Sequence, residues 1–365
     1  MSNHSNSVSE KVDFLIKKVN SGNRILTDDA VFLYENASLG ILTELAFSVK
    51  NRINGRYVYY NKNFHIEPTN VCVFNCDFCS FSTLEEEKGW KNSHDDILNI
   101  IEEKISSGAR ELHITGGANP SYNLDFYTEL FKHIKKLYPF LHIKAFTAVE
   151  IDYISKLAGL DFKDTLKILK ESGLDSIPGG GAEIFDEEVR EIICSKKTSG
   201  KRWLEIHEAA HKLGINSNAT MLYGHIETVR NRIEHMERLR NLQDKTKGFN
   251  AFIPLKFKNK NNRLSSIPEA PLIEDLKVFA ISRIFLDNIP HLKAYWPMLG
   301  KDIARLLLHF GVDDLDGTIQ NTTKIYSMAG SSEDNPGMSE EDIKSMIISS
   351  GFVPAERDSL YNLVS

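Results

Sequence analysis

The sequence predicts an α/β fold and, within that class, a (β/α)8 TIM-type barrel. Short β-rich runs alternate with amphipathic helical stretches along most of the chain, and a glycine often closes the helical stretch, as Gly108, Gly173 and Gly214 do. This alternation indicates βαβ units and a parallel sheet, and eight such units close a barrel. An open doubly wound sheet is the alternative, but no G-x-G-x-x-G follows the first β-rich run.

Eight β-rich runs are the predicted strands. They cover residues 64–69, 111–115, 142–147, 176–177, 216–222, 249–257, 291–296 and 313–318. The first predicted helix begins after Ser93, which forms a capping box with Asp96. The following predicted helices cover residues 124–137, 163–171, 201–212, 229–242, 273–286 and 301–309.

The two ends of the chain are predicted to extend the barrel. We divide the sequence into an N-terminal helical extension (1–60), the barrel (61–320) and a C-terminal extension packed on the barrel (321–365). Ser339 and Asp342 form a second capping box, which predicts a helix that ends by Gly351.

Composition excludes several classes of function. The net charge of −6 and the sequence pI near 6.1 give no basic surface for nucleic acid or for an anionic membrane. No apolar run is long enough to span a bilayer, and the polar N-terminus does not resemble a secretory signal. Four cysteines in 365 residues do not suggest a disulfide scaffold. We therefore expect a cytoplasmic protein that binds neither nucleic acid nor membrane.

Three of the four cysteines stand close together after the first predicted strand. Cys72, Cys76 and Cys79 have the spacing C-x3-C-x2-C. Three neighbouring thiols cannot all pair with one another as disulfides, but their thiolates can hold a metal cluster and leave one coordination position open for a substrate. A loop that follows a barrel strand lies at the C-terminal mouth, where barrel enzymes have their active sites.

Several kinds of metal site remain open at this stage. Structural zinc usually has four closed ligands in two C-x2-C pairs, so His65 or His113 would have to complete a zinc site here. Cys194 is far away in sequence, and its helical context predicts a buried structural thiol. Electron-transfer clusters usually take four cysteines. A third possibility is a [4Fe–4S] cluster whose free iron binds S-adenosylmethionine (SAM).

The cysteine run, with Phe78 before its third thiol, resembles the radical SAM superfamily. That resemblance implies a [4Fe–4S] cluster on the three cysteines, SAM as a co-substrate, and Phe78 against the adenine. Gly116 and Gly117, in the segment TGGANP, match the two glycines that receive the methionine amino group. The acidic residue that often follows them is absent, so the backbone is expected to perform that function.

Further segments extend the resemblance over nearly the whole chain. They are similar to the radical enzymes of the futalosine route to menaquinone, and cover residues 142–151, 176–185, 218–228, 248–257, 286–300 and 313–319. That family includes an aminofutalosine synthase and a cyclase that acts on dehypoxanthine futalosine, and it is similar to the enzymes that build a deazaflavin chromophore. The segments KAFTAVEI and AYWPMLG are closer to the synthase.

The resemblance to the synthase implies a reaction that forms a carbon–carbon bond. The 5′-deoxyadenosyl radical adds to the enol-ether double bond of 3-[(1-carboxyvinyl)oxy]benzoate, here called the enolpyruvyl benzoate. Rearrangement and decarboxylation then give 6-amino-6-deoxyfutalosine, with methionine released. An external one-electron donor such as flavodoxin or ferredoxin is implied. The alternative is the dehypoxanthine futalosine cyclase, and a remote alternative is a non-catalytic metal-binding regulator.

Polar residues near predicted strand ends are the candidates for binding the two small molecules. The two carboxylates of the enolpyruvyl benzoate require cationic or hydrogen-bonding partners, and the predicted catalytic residues are His225, Lys293, Tyr295 and Arg283. Glu183 follows three glycines and is predicted to accept from the ribose hydroxyls. Thr147 and Asn218 are further candidates for contacts with the co-substrate.

Overall fold

The computed structural model describes residues 2–318, 323–331 and 337–364. Within them are ten strands: β1 Tyr57–Asn61, β2 Asn63–Ile66, β3 Glu111–Ile114, β4 His142–Ala145, β5 Ser176–Ile177, β6 Asn216–Tyr223, β7 Phe249–Lys256, β8 His291–Leu292, β9 Asp314–Gly317 and β10 Val353–Glu356. Strands β2 to β8 form one parallel seven-stranded sheet in chain order. The sheet curls into a half-barrel, and helices lie in the connections between its strands.

Fifteen α-helices occur in the same residues. They are α1 Ser2–Asn20, α2 Thr27–Asn36, α3 Leu39–Asn54, α4 His94–Ser106, α5 Leu124–Leu137, α6 Ala148–Ala158, α7 Phe162–Ser172, α8 Glu187–Cys194, α9 Gly200–Lys212, α10 Val229–Thr246, α11 Leu272–Phe285, α12 Trp296–Leu299, α13 Lys301–Leu307, α14 Ile325–Met328 and α15 Glu340–Ser349. None of these helices is both long and apolar enough to cross a membrane. The predicted α/β fold with parallel strands is confirmed.

The predicted eighth strand is present, but it belongs to a second sheet. β9 pairs with β1, which also pairs with β10, and all three strands are parallel. A single parallel bridge between Lys293 and Asp314 links β9 to the end of β8. Because only Lys62 separates β1 from β2, the small sheet lies between the two edges of the half-barrel and takes the position of the missing eighth strand.

Local sequence signals explain where the helices begin. Both predicted capping boxes are confirmed, at Ser93 with Asp96 and at Ser339 with Asp342. Helix α6 was not predicted, because the predicted strand covers residues 142–147 and the next predicted helix begins only at residue 163. Thr147 and Glu150 form a further capping box there, so the strand ends at Ala145 and a helix follows almost at once.

Both chain ends pack on the half-barrel. Helices α1 to α3 form the predicted helical N-terminal extension, and α15 with β10 belongs to the C-terminal one. Residues 321, 322, 332–336 and 365 of the predicted C-terminal extension lie outside the described residues. β10 pairs with β1 in the register Tyr57 to Val353, so hydrogen bonds join the two extensions.

Candidate active site

The loop after β2 carries the three clustered cysteines to the C-terminal end of the sheet. Cys72 N donates to Thr83 O at 2.9 Å, and Cys79 N donates to Cys76 O at 3.2 Å. Asp77 N donates to Ile193 O at 2.9 Å, which ties the loop to α8. The loop thus has a defined path that rests on backbone hydrogen bonds.

Gly116 and Gly117 give this loop the space it needs. A Cβ atom on Gly117 would lie 2.2 Å from the Val71 carbonyl oxygen, and one on Gly116 would lie 2.8 Å from the Thr69 carbonyl oxygen. Real Cβ atoms do not approach carbonyl oxygens so closely, so only glycine allows the end of β3 to pack against the start of the cysteine loop. The two glycines therefore shape the site whatever they bind.

Arg263, in the segment after β7, holds the outer side of the cysteine loop. Its Nε donates to Asp77 Oδ1 at 2.8 Å, and its Nη1 donates to Asn75 Oδ1 at 2.9 Å. Asn75 has a positive φ of 47°, a conformation in which asparagine is more common than most residues. These hydrogen bonds from Arg263 stabilise the turn between the first and second cysteines.

The thiols are suited to a cluster that uses three cysteine ligands. All three are free cysteines, with Cys76 buried and Cys72 and Cys79 partly exposed. Burial raises the pKa of Cys76 to about 12 and also raises the pKa of Cys72, so these groups need a metal to become thiolates. In the described residues, no three His, Cys, Asp or Glu side chains are close enough together to hold a single metal ion. A cubane instead takes each thiolate to a different iron.

A cavity of about 220 Å³, here called the outer cavity, lies beside the cysteine loop. Its walls include Phe78, Cys79, Gly116, Thr147, Glu183 and Lys197. The structure therefore brings together four of the six residues that were predicted to bind the co-substrate. Gly117 lies behind this wall against Val71, and Asn218 is buried on β6 with its carbonyl group against Gly179.

Lys197 is a cavity residue that the sequence did not reveal. Its Nζ lies 2.6 Å from Glu183 Oε1 and 5.2 Å from the centre of the Phe78 ring. Burial opposes the charge on this lysine, but the carboxylate of Glu183 keeps the pKa of Lys197 above its ordinary value. Glu183 itself has a positive φ of 47°, a strained backbone of the kind that is found at functional sites.

Glu150 joins the ends of β3 and β4 at the edge of the outer cavity. Its Oε1 accepts from Gly116 N at 3.0 Å, and its Oε2 accepts from Thr147 N at 2.7 Å. Burial raises the pKa of Glu150 to about 7. The carboxyl group fixes the relative positions of two strand ends that line the cavity.

A second cavity of about 160 Å³, the inner cavity, reaches into the half-barrel. His65, His113, Thr220 and Tyr295 contribute polar groups to its wall. The two cavities have four lining residues in common, which are Thr115, Thr147, Leu255 and Ile325. Because the two cavities share these residues, they adjoin one another.

Glu67 fastens the segment that covers the inner cavity. Its carboxylate accepts from Thr323 Oγ1 at 2.8 Å, from Lys324 N at 2.9 Å and from Ile325 N at 3.3 Å. Thr323 and Ile325 both line the inner cavity. Nothing in the local sequence indicated this contact, because its partners are about 256 positions apart.

Of the four predicted catalytic residues, only Tyr295 lines either cavity. The side chain of His225 is fully buried, with Nδ1 3.1 Å from Glu227 Oε2 and Nε2 3.2 Å from Leu222 O. Lys293 is also buried, and its Nζ lies 2.9 Å from Asp316 Oδ1. Both groups already have protein partners that offset the cost of burial, and their placement does not support direct contact with a substrate.

Arg283 lies at the opposite end of the half-barrel from the cysteines. It is in the last turn of α11, where Nη2 donates to Leu286 O at 2.7 Å and to Ile289 O at 2.6 Å. These carbonyl groups belong to the connection from α11 to β8, which enters the strand at its N-terminal end. This placement does not support the predicted contact of Arg283 with a substrate, because the side chain stabilises this connection.

Comparisons with known proteins agree with the geometry. The family model of the radical SAM superfamily matches residues 66–239, and the model of the CofH/MqnC C-terminal region matches residues 246–365. The chain is 41% identical to aminodeoxyfutalosine synthase from Thermus thermophilus, with 96% of this chain and 95% of the relative covered. It is 37% identical to cyclic dehypoxanthine futalosine synthase from Streptomyces coelicolor, with 97% and 90% covered.

The fold is also similar to those of solved proteins of lower sequence identity. Methylornithine synthase superimposes with a TM-score of 0.72 at 18% identity, and 93% of this chain and 97% of that chain are covered. HydG, a maturase of the [FeFe]-hydrogenase, gives a TM-score of 0.75 at 15% identity, with 95% and 76% covered. The chain therefore belongs to the radical SAM superfamily, in the family that contains aminodeoxyfutalosine synthase, and it is an enzyme that uses a [4Fe–4S] cluster and SAM.

Proposed function

We propose that the enzyme is an aminodeoxyfutalosine synthase of menaquinone biosynthesis. It adds the 5′-deoxyadenosyl group of SAM to the enol-ether double bond of the enolpyruvyl benzoate. Rearrangement and decarboxylation give 6-amino-6-deoxyfutalosine. The proposal retains a cytoplasmic location and an external electron donor such as flavodoxin or ferredoxin.

The shared boundary of the outer and inner cavities is the observation that supports this function best. The reaction needs two small molecules in contact, one beside the cysteines and one farther inside. Thr115, Thr147, Leu255 and Ile325 border both spaces, so the reacting carbons can meet at that boundary. Two of these four residues are apolar, which favours the exclusion of water from a reactive radical.

The residues of the outer cavity are assigned to SAM. Cys72, Cys76 and Cys79 would hold the cluster, which would supply the electron for the cleavage of SAM. Phe78 offers a ring face to the adenine, and Glu183 offers a carboxylate to the ribose hydroxyls. Lys197 orients that carboxylate through their 2.6 Å contact. Gly116 and Thr147 complete the wall of this cavity, whereas Gly117 and Asn218 lie outside its lining.

The inner cavity is assigned to the enolpyruvyl benzoate. Tyr295 and the two histidines provide hydrogen-bonding groups, while Ile253 and Leu255 provide an apolar surface for the aromatic ring. Binding sites for small molecules commonly combine such a surface with a few polar groups. His225 and Lys293 are assigned roles in supporting the structure around the site, and Arg283 a role in stabilising the opposite end of the half-barrel.

The test is a reaction with the anaerobically reconstituted enzyme. With reductant, SAM and the enolpyruvyl benzoate, we expect 6-amino-6-deoxyfutalosine and methionine by mass spectrometry. Free 5′-deoxyadenosine without an adenosyl adduct contradicts the assigned substrate. A spirocyclic product from dehypoxanthine futalosine, with no adduct from the benzoate, identifies the enzyme as the cyclase instead. A colourless, air-stable protein that contains zinc would identify a metal-binding regulator.

A further inference from the structure

His65 and His113 form a pair on neighbouring strands in the wall of the inner cavity. They are direct register partners on β2 and β3, and their ring centres are 4.3 Å apart. Tyr295 lies beside them, with its ring centre 6.1 Å from that of His65. Three side chains that can hydrogen-bond thus line the same cavity. Of the residues assigned to SAM, only Thr147 also lines it.

The surroundings keep both imidazole rings neutral. Burial lowers the pKa of His65 to about 4, and burial together with the neighbouring His65 holds the pKa of His113 well below its usual value. The charged groups that face the pair are Glu111, Lys144, Lys293 and Asp316. They are already joined as the ion pairs Lys144–Glu111, at 2.6 Å, and Lys293–Asp316, at 2.9 Å. A neutral imidazole still carries one N–H group that can donate to an anion.

His113 also has unused hydrogen-bonding capacity. Nε2 of His113 is buried and has no hydrogen-bond partner among the described residues. Two hydroxyl groups of the same wall are already committed, since Thr220 donates to Gly179 O at 2.8 Å and Thr323 donates to Glu67 at 2.8 Å. Buried polar groups rarely lack partners, so a ligand that accepts a hydrogen bond would supply the missing partner of Nε2 of His113.

We propose that the His65–His113 pair binds the ring carboxylate of the enolpyruvyl benzoate, an inference that rests on the proposed function. The enol-ether carbon must face the boundary with the outer cavity, where the adenosyl group arrives. Its own carboxylate is therefore near that boundary and is lost in the reaction. The ring carboxylate lies on the other side of the aromatic ring and survives, so it can anchor the substrate from the first step to the last.

The experiment compares two substrates in three enzymes. The substrates are the enolpyruvyl benzoate and its analogue with a neutral carboxamide in place of the ring carboxylate. In the reconstituted wild-type enzyme we expect KM for the carboxamide to exceed KM for the benzoate by about 10- to 100-fold, the usual effect of hydrogen bonds to a charged group. His113→Leu should raise KM for the benzoate and abolish this discrimination. His113→Gln keeps an N–H donor and should retain part of it.

Controls separate a local effect from misfolding. Each variant should retain the wild-type iron content, which shows that the fold and the cluster site are intact. His142→Leu alters a histidine on β4 that bonds to Ser176 at 2.7 Å and lines neither cavity, so it should keep the discrimination. If His113→Leu and His113→Gln discriminate as the wild type does, the carboxylate binds elsewhere and the inference is wrong. If the wild type forms no adduct from the benzoate, the proposed function itself has failed.

Discussion

Lys197 and Glu183 form a nearly buried ion pair in the wall of the outer cavity, with 2.6 Å between Nζ and Oε1. The side chain of Lys197 is only 15% exposed to solvent, and that of Glu183 only 8%. The backbone of Glu183 is fixed as well, because its carbonyl oxygen accepts a hydrogen bond from Leu222 N at 2.8 Å. The pair therefore fixes a carboxylate in a defined direction beside Phe78 and the third cysteine.

Removing the lysine should weaken SAM binding. In Lys197→Met the buried carboxylate loses its partner, and breaking a buried pair in this way costs about 3–5 kcal/mol of unfolding free energy. We expect KM for SAM to rise by about 10- to 100-fold, while Lys197→Arg retains much of the binding. Lys201→Met, at an exposed position of α9, is the matched control. An unchanged KM for SAM in Lys197→Met would show that Glu183 does not need this partner.

The four cysteines should divide into three ligands and one structural residue. Cys76→Ala should lose the cluster, whereas Cys194→Ala should keep it, because Cys194 lies in α8 outside the cysteine loop. Iron and sulfide analysis, with electron paramagnetic resonance after dithionite reduction, measures this difference. Loss of the cluster in Cys194→Ala, with the fold intact, contradicts the three-ligand assignment.

The buried carboxyl group of Glu150 should make stability depend on pH. Its pKa rises from 4.5 to about 7 on folding, so between these values the folded protein holds a proton that the unfolded chain has released. Stability from this group is present at low pH and falls as pH rises towards 7. Glu150→Gln does not titrate, so its free energy of unfolding relative to wild type should improve between pH 4.5 and pH 7. Denaturant unfolding at several pH values measures it, and a constant difference contradicts the prediction.

Arg283 should matter for stability and not for substrate binding. Arg283→Met removes the donors for Leu286 and Ile289 carbonyl groups, and each unsatisfied buried group costs about 1–3 kcal/mol. We expect a lower midpoint of thermal unfolding with unchanged KM values. Arg305→Met, at an exposed position of α13, should change neither quantity. A raised KM for the enolpyruvyl benzoate in Arg283→Met would restore Arg283 as a substrate residue.

Much of the fold was predictable because its signals are local. The capping boxes at Ser93 and Ser339 fix two helix starts through contacts three residues apart. The same signal is present at Thr147 and Glu150, and it could have revealed α6. β9 shows the limit of local signals, because its residues have a strand pattern but their pairing with β1 depends on contacts more than 250 residues apart.

The candidate site was predictable only in part, for a similar reason. The spacing of the cysteines and glycines marks the outer cavity directly in the sequence. Lys197 reaches Glu183 and Phe78 only after α8 has folded against the cysteine loop, so no local pattern identifies it. The position of basic residues near strand ends did not identify substrate-binding side chains. Lys293, for example, forms a buried ion pair with Asp316 instead.

The contact between Glu67 and the segment from Thr323 to Ile325 also orders events during synthesis of the chain. The cysteine loop leaves the ribosome early, directly after Glu67, whereas the residues that close the inner cavity follow much later. In a nascent chain the three thiols are thus accessible to iron before the inner cavity is closed. Radical chemistry becomes productive only once the last quarter of the polypeptide has folded back onto the first.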